Sequence, residues 1–208
     1  MQRPETILIA TGNRSKAAEF AQMLPASGFT DLSAWPGIGE MEETGHTFRV
    51  NACLKAIYYA KQTSQWAIAD DSGLEVDALN GSPGVYSARW AQRHDAGKGD
   101  RANNDLLIRQ LADVPDAQRS GRFVCVLALA DPLGRVILTA RDTLEGKITF
   151  APRGENGFGY DPFFAVPDGR TSAELTSAEK HAISHRGRAL RQLRQMMDRL
   201  WPKVRQVI

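Results

Sequence analysis

Cysteine is scarce: Cys53 and Cys125 are the only two in 208 residues. Two are too few for a disulfide framework or a cysteine-rich zinc site, and they fit a reducing compartment, with both thiols expected in the core. An excess of one charge is also missing. Lys and Arg number 26 against 24 Asp and Glu, with no block of like charge, so nothing offers a general grip on DNA or RNA phosphates. Small phosphorylated ligands are not excluded, because a few focused cations and backbone amides suffice for them. Long hydrophobic runs are absent too. Ile7 to Ala10, near the start, is far shorter than a signal-peptide core, and no stretch reaches transmembrane length. These absences predict a cytoplasmic protein with neither a membrane nor a nucleic-acid polymer as partner.

What is present, 42% hydrophobic and 24% charged residues, suits a globular chain with one substantial core, read as one unit over 1–208 that can be two-lobed. Ile7-Leu8-Ile9-Ala10 reads as a buried strand, Thr11-Gly12-Asn13 as a turn, and Ala17, Phe20, Ala21 and Leu24 recur at helical spacing. A second helix is expected over about 47–61, followed by a strand ending at Asp70. The apolar runs 123–130 and 135–140 flank the turn Asp131-Pro132-Leu133-Gly134 and read as an antiparallel hairpin. Helices are expected over 103–111 and 184–200, the last burying Leu190, Leu193, Met197 and Leu200. Alternation followed by a hairpin predicts an α/β protein around a mixed sheet. The glycine-rich segments 97–100 and 154–157 are the expected mobile loops.

Chemistry concentrates in a few places. Asp70 and Asp71 follow the apolar Trp66-Ala67-Ile68, and adjacent side chains on an extended backbone point to opposite sides, so the two carboxylates should differ in environment and role. They can hold Mg²⁺ and act as a base, or end the strand in an ordinary Asx turn with Ser72 and Gly73. Thr11 to Lys16 joins a strand to a helix. Its amides, with Thr11, Asn13 and Lys16, can receive a phosphate, or Asn13 or Ser15 can simply cap the helix. It is neither a Walker loop nor a dinucleotide fingerprint. Glu42 and Glu43 precede a helix and become metal ligands only if the fold brings them beside the Asp doublet. Phe158, Gly159, Tyr160 and Asp161 can stack on a planar ligand and fix its edge, or pack as an aromatic turn. Thr176 and Glu179 suggest a capping box ahead of Lys180, His185 and Arg186. Arg186 offers donors only, so it suits a purine with an oxygen at position six; a solvated basic helix end is the plain alternative. His181 and His185 lack the third ligand that zinc needs.

Taken in order, Thr11-Gly12-Asn13 with Lys16 and Glu19, Asp70-Asp71-Ser72-Gly73-Leu74, 81–89, 157–162, and Ser184-His185-Arg186-Gly187 resemble the inosine/xanthosine triphosphate pyrophosphatase (Ham1-like) family, most closely its bacterial members. The match spans about 7–193 and leaves a tail, 201–208, without a role. The resemblance implies an elongated α/β fold with a central mixed sheet, two lobes around a cleft, and a homodimer. It also implies Mg²⁺-dependent hydrolysis of dITP, ITP and XTP to the monophosphate and pyrophosphate. By position, Asp71 is then the general base and a metal ligand, with Glu42 the other ligand candidate and Glu43 a substitute. Thr11, Gly12, Asn13, Arg14, Ser15, Lys16 and Lys180 hold the triphosphate. Ser72, Phe158, Gly159, Tyr160, Asp161, His185 and Arg186 line the nucleoside pocket. A Maf-like pyrophosphatase of other base specificity and a non-catalytic nucleotide sensor are the competing readings.

Overall fold

The computed structural model describes residues 3–25 and 27–202, so all but the first two residues of the unassigned tail lie outside it. Its centre is a six-stranded sheet in the order β2-β1-β3-β4-β5-β6, formed by β1 (Ile7–Ala10), β2 (Phe29–Asp31), β3 (Trp66–Val76), β4 (Ser120–Ala130), β5 (Val136–Ile148) and β6 (Phe164–Ala165). β1 is parallel to both neighbours, and β3 to β6 run antiparallel. Parallel pairing demands cover on both faces, and all four residues of β1 are buried.

Among the described residues, six α-helices surround the sheet: α1 (Arg14–Met23), α2 (Phe48–Thr63), α3 (Trp90–Arg93), α4 (Gly99–Gln110), α5 (Ser177–Ile183) and α6 (His185–Leu200). Their starts follow from local chemistry. Thr47 accepts from the Val50 amide at 3.2 Å, and Ser184 accepts from the Gly187 amide at 3.0 Å. The anticipated Thr176–Glu179 capping box is present at α5. In the hairpin turn, Asp131 Oδ1 accepts from the Leu133 and Arg135 amides at 3.0 and 2.9 Å.

Two expectations change. β3 does not stop at Asp70, because β4 supplies an unbroken antiparallel ladder from Ala67↔Ala130 to Val76↔Gly121. That pairing outweighs the turn preference of Asp-Ser-Gly and leaves the doublet in mid-strand. Likewise Gly99 and Asp100, read as a loop, open α4.

Strand alternation divides the core. One face gathers Ile7, Ile9, Ile68, Cys125, Leu127 and Leu129 beneath Phe20 of α1 and Leu190, Leu193 and Met197 of α6. Trp201 also belongs here, set edge-on to Trp66 at 4.8 Å. The other face packs Leu8, Ala67, Ala69, Val124 and Val126 against Ala52, Ala56 and Tyr59 of α2. A third cluster, around Leu74, Val76, Phe123, Leu144 and Phe164, builds the far lobe with Leu107 of α4 and Leu111 just beyond it. Along one face of β3, therefore, Ile68 belongs to the first core, Leu74 and Val76 to the third, and the polar Asp70 and Ser72 lie between them.

Arg119 pins the far lobe. Fully buried, it donates to the Ile148 carbonyl at 2.9 Å, Leu111 at 2.6 Å, Thr149 at 3.2 Å and Val114 at 3.4 Å, tying the residues after α4 to the end of β5. Arg119→Met leaves these carbonyls without donors, so a loss of about 3 kcal/mol is expected in denaturant unfolding. A change below measurement error would show that water replaces the guanidinium at no cost.

Candidate functional site

β1 ends at Ala10, opposite Ala69, whereas β3 runs on to Val76. Past Ala69 that edge of β3 has lost its strand neighbour, and farther along it is closed by the loop 81–89. Val76 donates to Ser82 O at 3.1 Å, and the Leu74 amide donates to Ser87 Oγ at 2.8 Å. The approach needs a glycine, since a Cβ on Gly73 would stand 2.6 Å from Gly84 O. Between the end of β1 and this loop opens a cleft of about 590 Å³, a volume that suits a nucleotide-sized ligand.

Thr11, Gly12, Asn13 and Lys16 form one wall. Asn13 caps α1, its Oδ1 accepting from the Lys16 amide at 3.0 Å, so the capping and ligand-facing readings of this loop coexist. Arg14 and Ser15 are exposed and are not part of the wall.

The two aspartates occupy opposite faces of β3. Asp70 meets Lys16 Nζ at 3.2 Å, Arg186 at 3.4 Å and Ser72 Oγ at 2.9 Å. Burial alone would raise its pKa, but Lys16, Arg186 and Lys55 hold it far below the usual carboxylate range. Asp71 faces α2, where Lys55 Nζ lies 3.0 Å from Oδ1, while Oδ2 is buried with no hydrogen-bond partner. Here burial dominates. Lys55 offsets it, Glu43 adds to it, and the carboxyl is pushed up to about 6. Lys55 also bonds Glu43 Oε1 at 2.7 Å, and Arg89 bonds Glu43 Oε2 at 2.9 Å. Glu43 is thus the carboxylate joined to Asp71 through Lys55, whereas Glu42 is exposed and lines the same cleft.

On the opposite side, Lys180 Nζ binds Asp161 Oδ2 at 2.7 Å and Glu19 Oε1 at 2.9 Å, with the Phe158 ring centroid 5.1 Å away. Burial would lower the Lys180 pKa, but Asp161 and Glu19 raise it. Lys180 is therefore grouped with the aromatic loop rather than with the loop 11–16. Asp161 also accepts from the Phe158 amide at 2.8 Å, so its carboxylate shapes its own loop. Arg186 is buried, its guanidinium paired with Glu19, with Ser72 Oγ at 2.7 Å and with Asp70. It is not the unencumbered donor that its chemistry suggested: its two terminal nitrogens are engaged, and Nε alone is buried without a partner. His185 lies against the Phe123 ring, centroids 5.1 Å apart, with Nδ1 unpartnered. Burial, then Arg186 and Lys180, depress its pKa and keep it neutral.

Lys55, Arg89 and Tyr59 also line the cleft without having been singled out. Lys55 carried a signal: it sits on α2 between Asn51, Ala52, Ala56 and Tyr59, a lysine on an otherwise buried helical face. Arg89 lies within the 81–89 segment, but only tertiary contact pairs it with Glu43.

A mixed sheet with a cleft at the end of a parallel strand, walled by paired cations and carboxylates, defines an α/β protein made to receive a charged small molecule. The chain belongs to the Ham1 family, whose model matches residues 7–196. A dITP/XTP pyrophosphatase of Exiguobacterium sibiricum is 51% identical over 190 residues, 90% of this chain and 94% of the relative. One from Lactiplantibacillus plantarum is 47% identical over 206 residues, 98% and 100% of the two chains. A HAM1 protein structure from Coxiella burnetii superposes with a TM-score of 0.82 at 42% identity, covering 94% of this chain and all of the other.

Because the Asp71 pKa is raised by folding, its contribution to stability is present below the unfolded value near 4 and is lost as pH rises through about 6. Asp71→Asn should therefore be more stable than the parent by on the order of 2 kcal/mol above about pH 7, the gap closing toward about pH 4. Thermal unfolding of both proteins across that range reads the difference; a destabilised variant at neutral pH would reverse the sign given to Asp71.

Proposed function

We propose that the chain hydrolyses the non-canonical purine nucleoside triphosphates dITP, ITP and XTP to the monophosphate and pyrophosphate. The reading rests on Asp71, a buried carboxylate raised to about 6, with one oxygen unpartnered and the other on Lys55, which lines the cleft. The names carried by the relatives supply the substrate class. Asp71 is assigned as the general base: near neutral pH it can accept a proton from water attacking the α-phosphorus. Lys16 and Lys55 pair with phosphate oxygens, exchanging their present carboxylate partners for the substrate.

Mg²⁺ fits the donor set. Asp71 Oδ2 is an orphaned hard oxygen, and Glu42 and the salt-bridged Glu43 line the cleft with Lys55, the ion-pair partner of Asp71, although no cluster of three or more His, Cys, Asp or Glu side chains occurs among the described residues. Mg²⁺ keeps several waters and takes phosphate oxygens, so two carboxylates suffice. When bound, it supplies charge neutralisation at the phosphates. The nucleoside is assigned to Ser72, Phe158 to Asp161, His185 and Arg186, with Phe158 as the stacking surface. Adenine would leave donors facing its six-amino group unpaired, at a cost of ~1–3 kcal/mol each. Guanine shares the six-oxo group and must be refused at its two-amino group. The reading includes a homodimer, as the family resemblance implies, and a cytoplasmic setting, which its two cysteines fit; no helix among the described residues is long and apolar enough to cross a membrane.

Pyrophosphate release from ITP, dITP, XTP, GTP, ATP, CTP and TTP, with and without EDTA, tests the proposal. Release confined to the first three and abolished by EDTA is expected. Activity centred on pyrimidines would favour Maf-like chemistry, and tight binding without release would favour a sensor. Asp71→Asn should retain nucleotide binding and lose about 10²–10⁴-fold in kcat. Arg186→Ala should lower the ITP-over-ATP preference about tenfold or more, and equal losses for both nucleotides would remove Arg186 from base selection.

A further inference from the structure

Phe158 can serve as a stacking surface only if its loop is held, and the restraint comes from a helix that the proposed chemistry does not use. Gly159 adopts φ +61°, and both of its peptide groups are gripped by α4. Its N–H donates to Asp100 Oδ2 at 2.7 Å, and its C=O accepts from Asn104 Nδ2 at 2.9 Å. Asp100 and Asn104 are four apart on α4 and so share one face of the helix. The next residue is anchored separately, Tyr160 OH donating to Ser87 O at 2.9 Å.

The helix itself is fixed to the other wall of the cleft. Asn103 Oδ1 accepts from the Ala91 amide at 2.8 Å and its Nδ2 donates to Ala88 O at 3.1 Å, while Trp90 Nε1 donates to Gln110 Oε1 at 2.8 Å. α4 thus ties the segment leading from the β3-edge loop to the loop that carries the Phe158 ring, itself 5.1 Å from Lys180 Nζ and 5.9 Å from the Arg186 guanidinium carbon.

We infer that Asp100 and Asn104 are positioning residues for base recognition, clamping the Gly159 backbone so that Phe158 is preset over Lys180 and Arg186. The inference rests on the reading that this loop meets the base of a nucleoside triphosphate. It places the clamp at the base end of the cleft, away from the phosphate-facing loop 11–16.

Asp100→Ala should raise KM for ITP about tenfold, with kcat altered far less, because a displaced loop weakens positioning rather than the proton transfer. The inhibition constant of inorganic pyrophosphate, which has no base, should be unchanged. Asp100→Asn keeps an acceptor oxygen and should restore KM to near the parental value; Asn104→Ala should behave like Asp100→Ala. Hydrogen exchange in 157–160 should accelerate in both alanine variants. An unchanged KM, a parallel rise in the pyrophosphate inhibition constant, or an Asp100→Asn variant as impaired as Asp100→Ala would each overturn the clamp. If the parental protein hydrolyses none of ITP, dITP and XTP, the functional reading fails separately. Hydrogen exchange then decides the clamp, faster exchange supporting it and unchanged exchange removing it.

Discussion

Two adjacent carboxylates in the middle of a buried strand impose the constraint on which the rest of the molecule depends. Asp70 and Asp71 are 2% and 3% exposed, and ions so enclosed persist only when counter-charges reach them. Because neighbouring residues on β3 face opposite ways, the counter-charges must come from both sides of the sheet. Lys16 of α1 and Arg186 of α6 serve Asp70, and Lys55 of α2 serves Asp71. Three helices distant in sequence are thereby required to converge on one point of one strand. The apolar cores explain why these helices pack on the sheet, and the ion pairs explain why they pack at this position along it.

The same constraint sets the charge balance of the cleft. Lys16, Lys55, Arg89, Lys180 and Arg186 are each paired with a carboxylate in the described residues. In the ligand-free cleft these cations are therefore already compensated, and an anion that enters has to replace their carboxylate partners. The opposite fates of the two aspartates then divide labour. Asp70 has so much positive charge around it that it stays ionised and organises Arg186 and Ser72. Asp71, with one cation shared with Glu43, is left close to the pKa a base needs near neutrality.

Much of this was legible in the chain. The β1 strand, the capped α1, the β4–β5 hairpin and α6 follow from periodicity and caps, which are local properties. The opposite orientation of Asp70 and Asp71 follows from strand geometry alone. The continuation of β3 through the doublet was not legible, because it depends on β4, whose partner residues lie about fifty positions away. The ion pairs of Glu43 were hidden for the same kind of reason: Glu42 and Glu43 both precede α2, and only the approach of Lys55 and Arg89 separates them. Arg186 illustrates the remaining gap. Its donors are evident from its type, but their engagement by Glu19, Ser72 and Asp70 is a fact of packing.

The sequence by itself determined the residue chemistry, the α/β alternation and the order of the motifs whose combination marks the Ham1 family, since spacing and side-chain type are properties of the chain. The tertiary structure alone decided which carboxylate meets which cation, where β1 stops short of β3 to open the cleft, and how α4 reaches the Phe158 loop. Those outcomes depend on distances between segments far apart in sequence, and burial converts such distances into pKa values and orientations that no local pattern encodes.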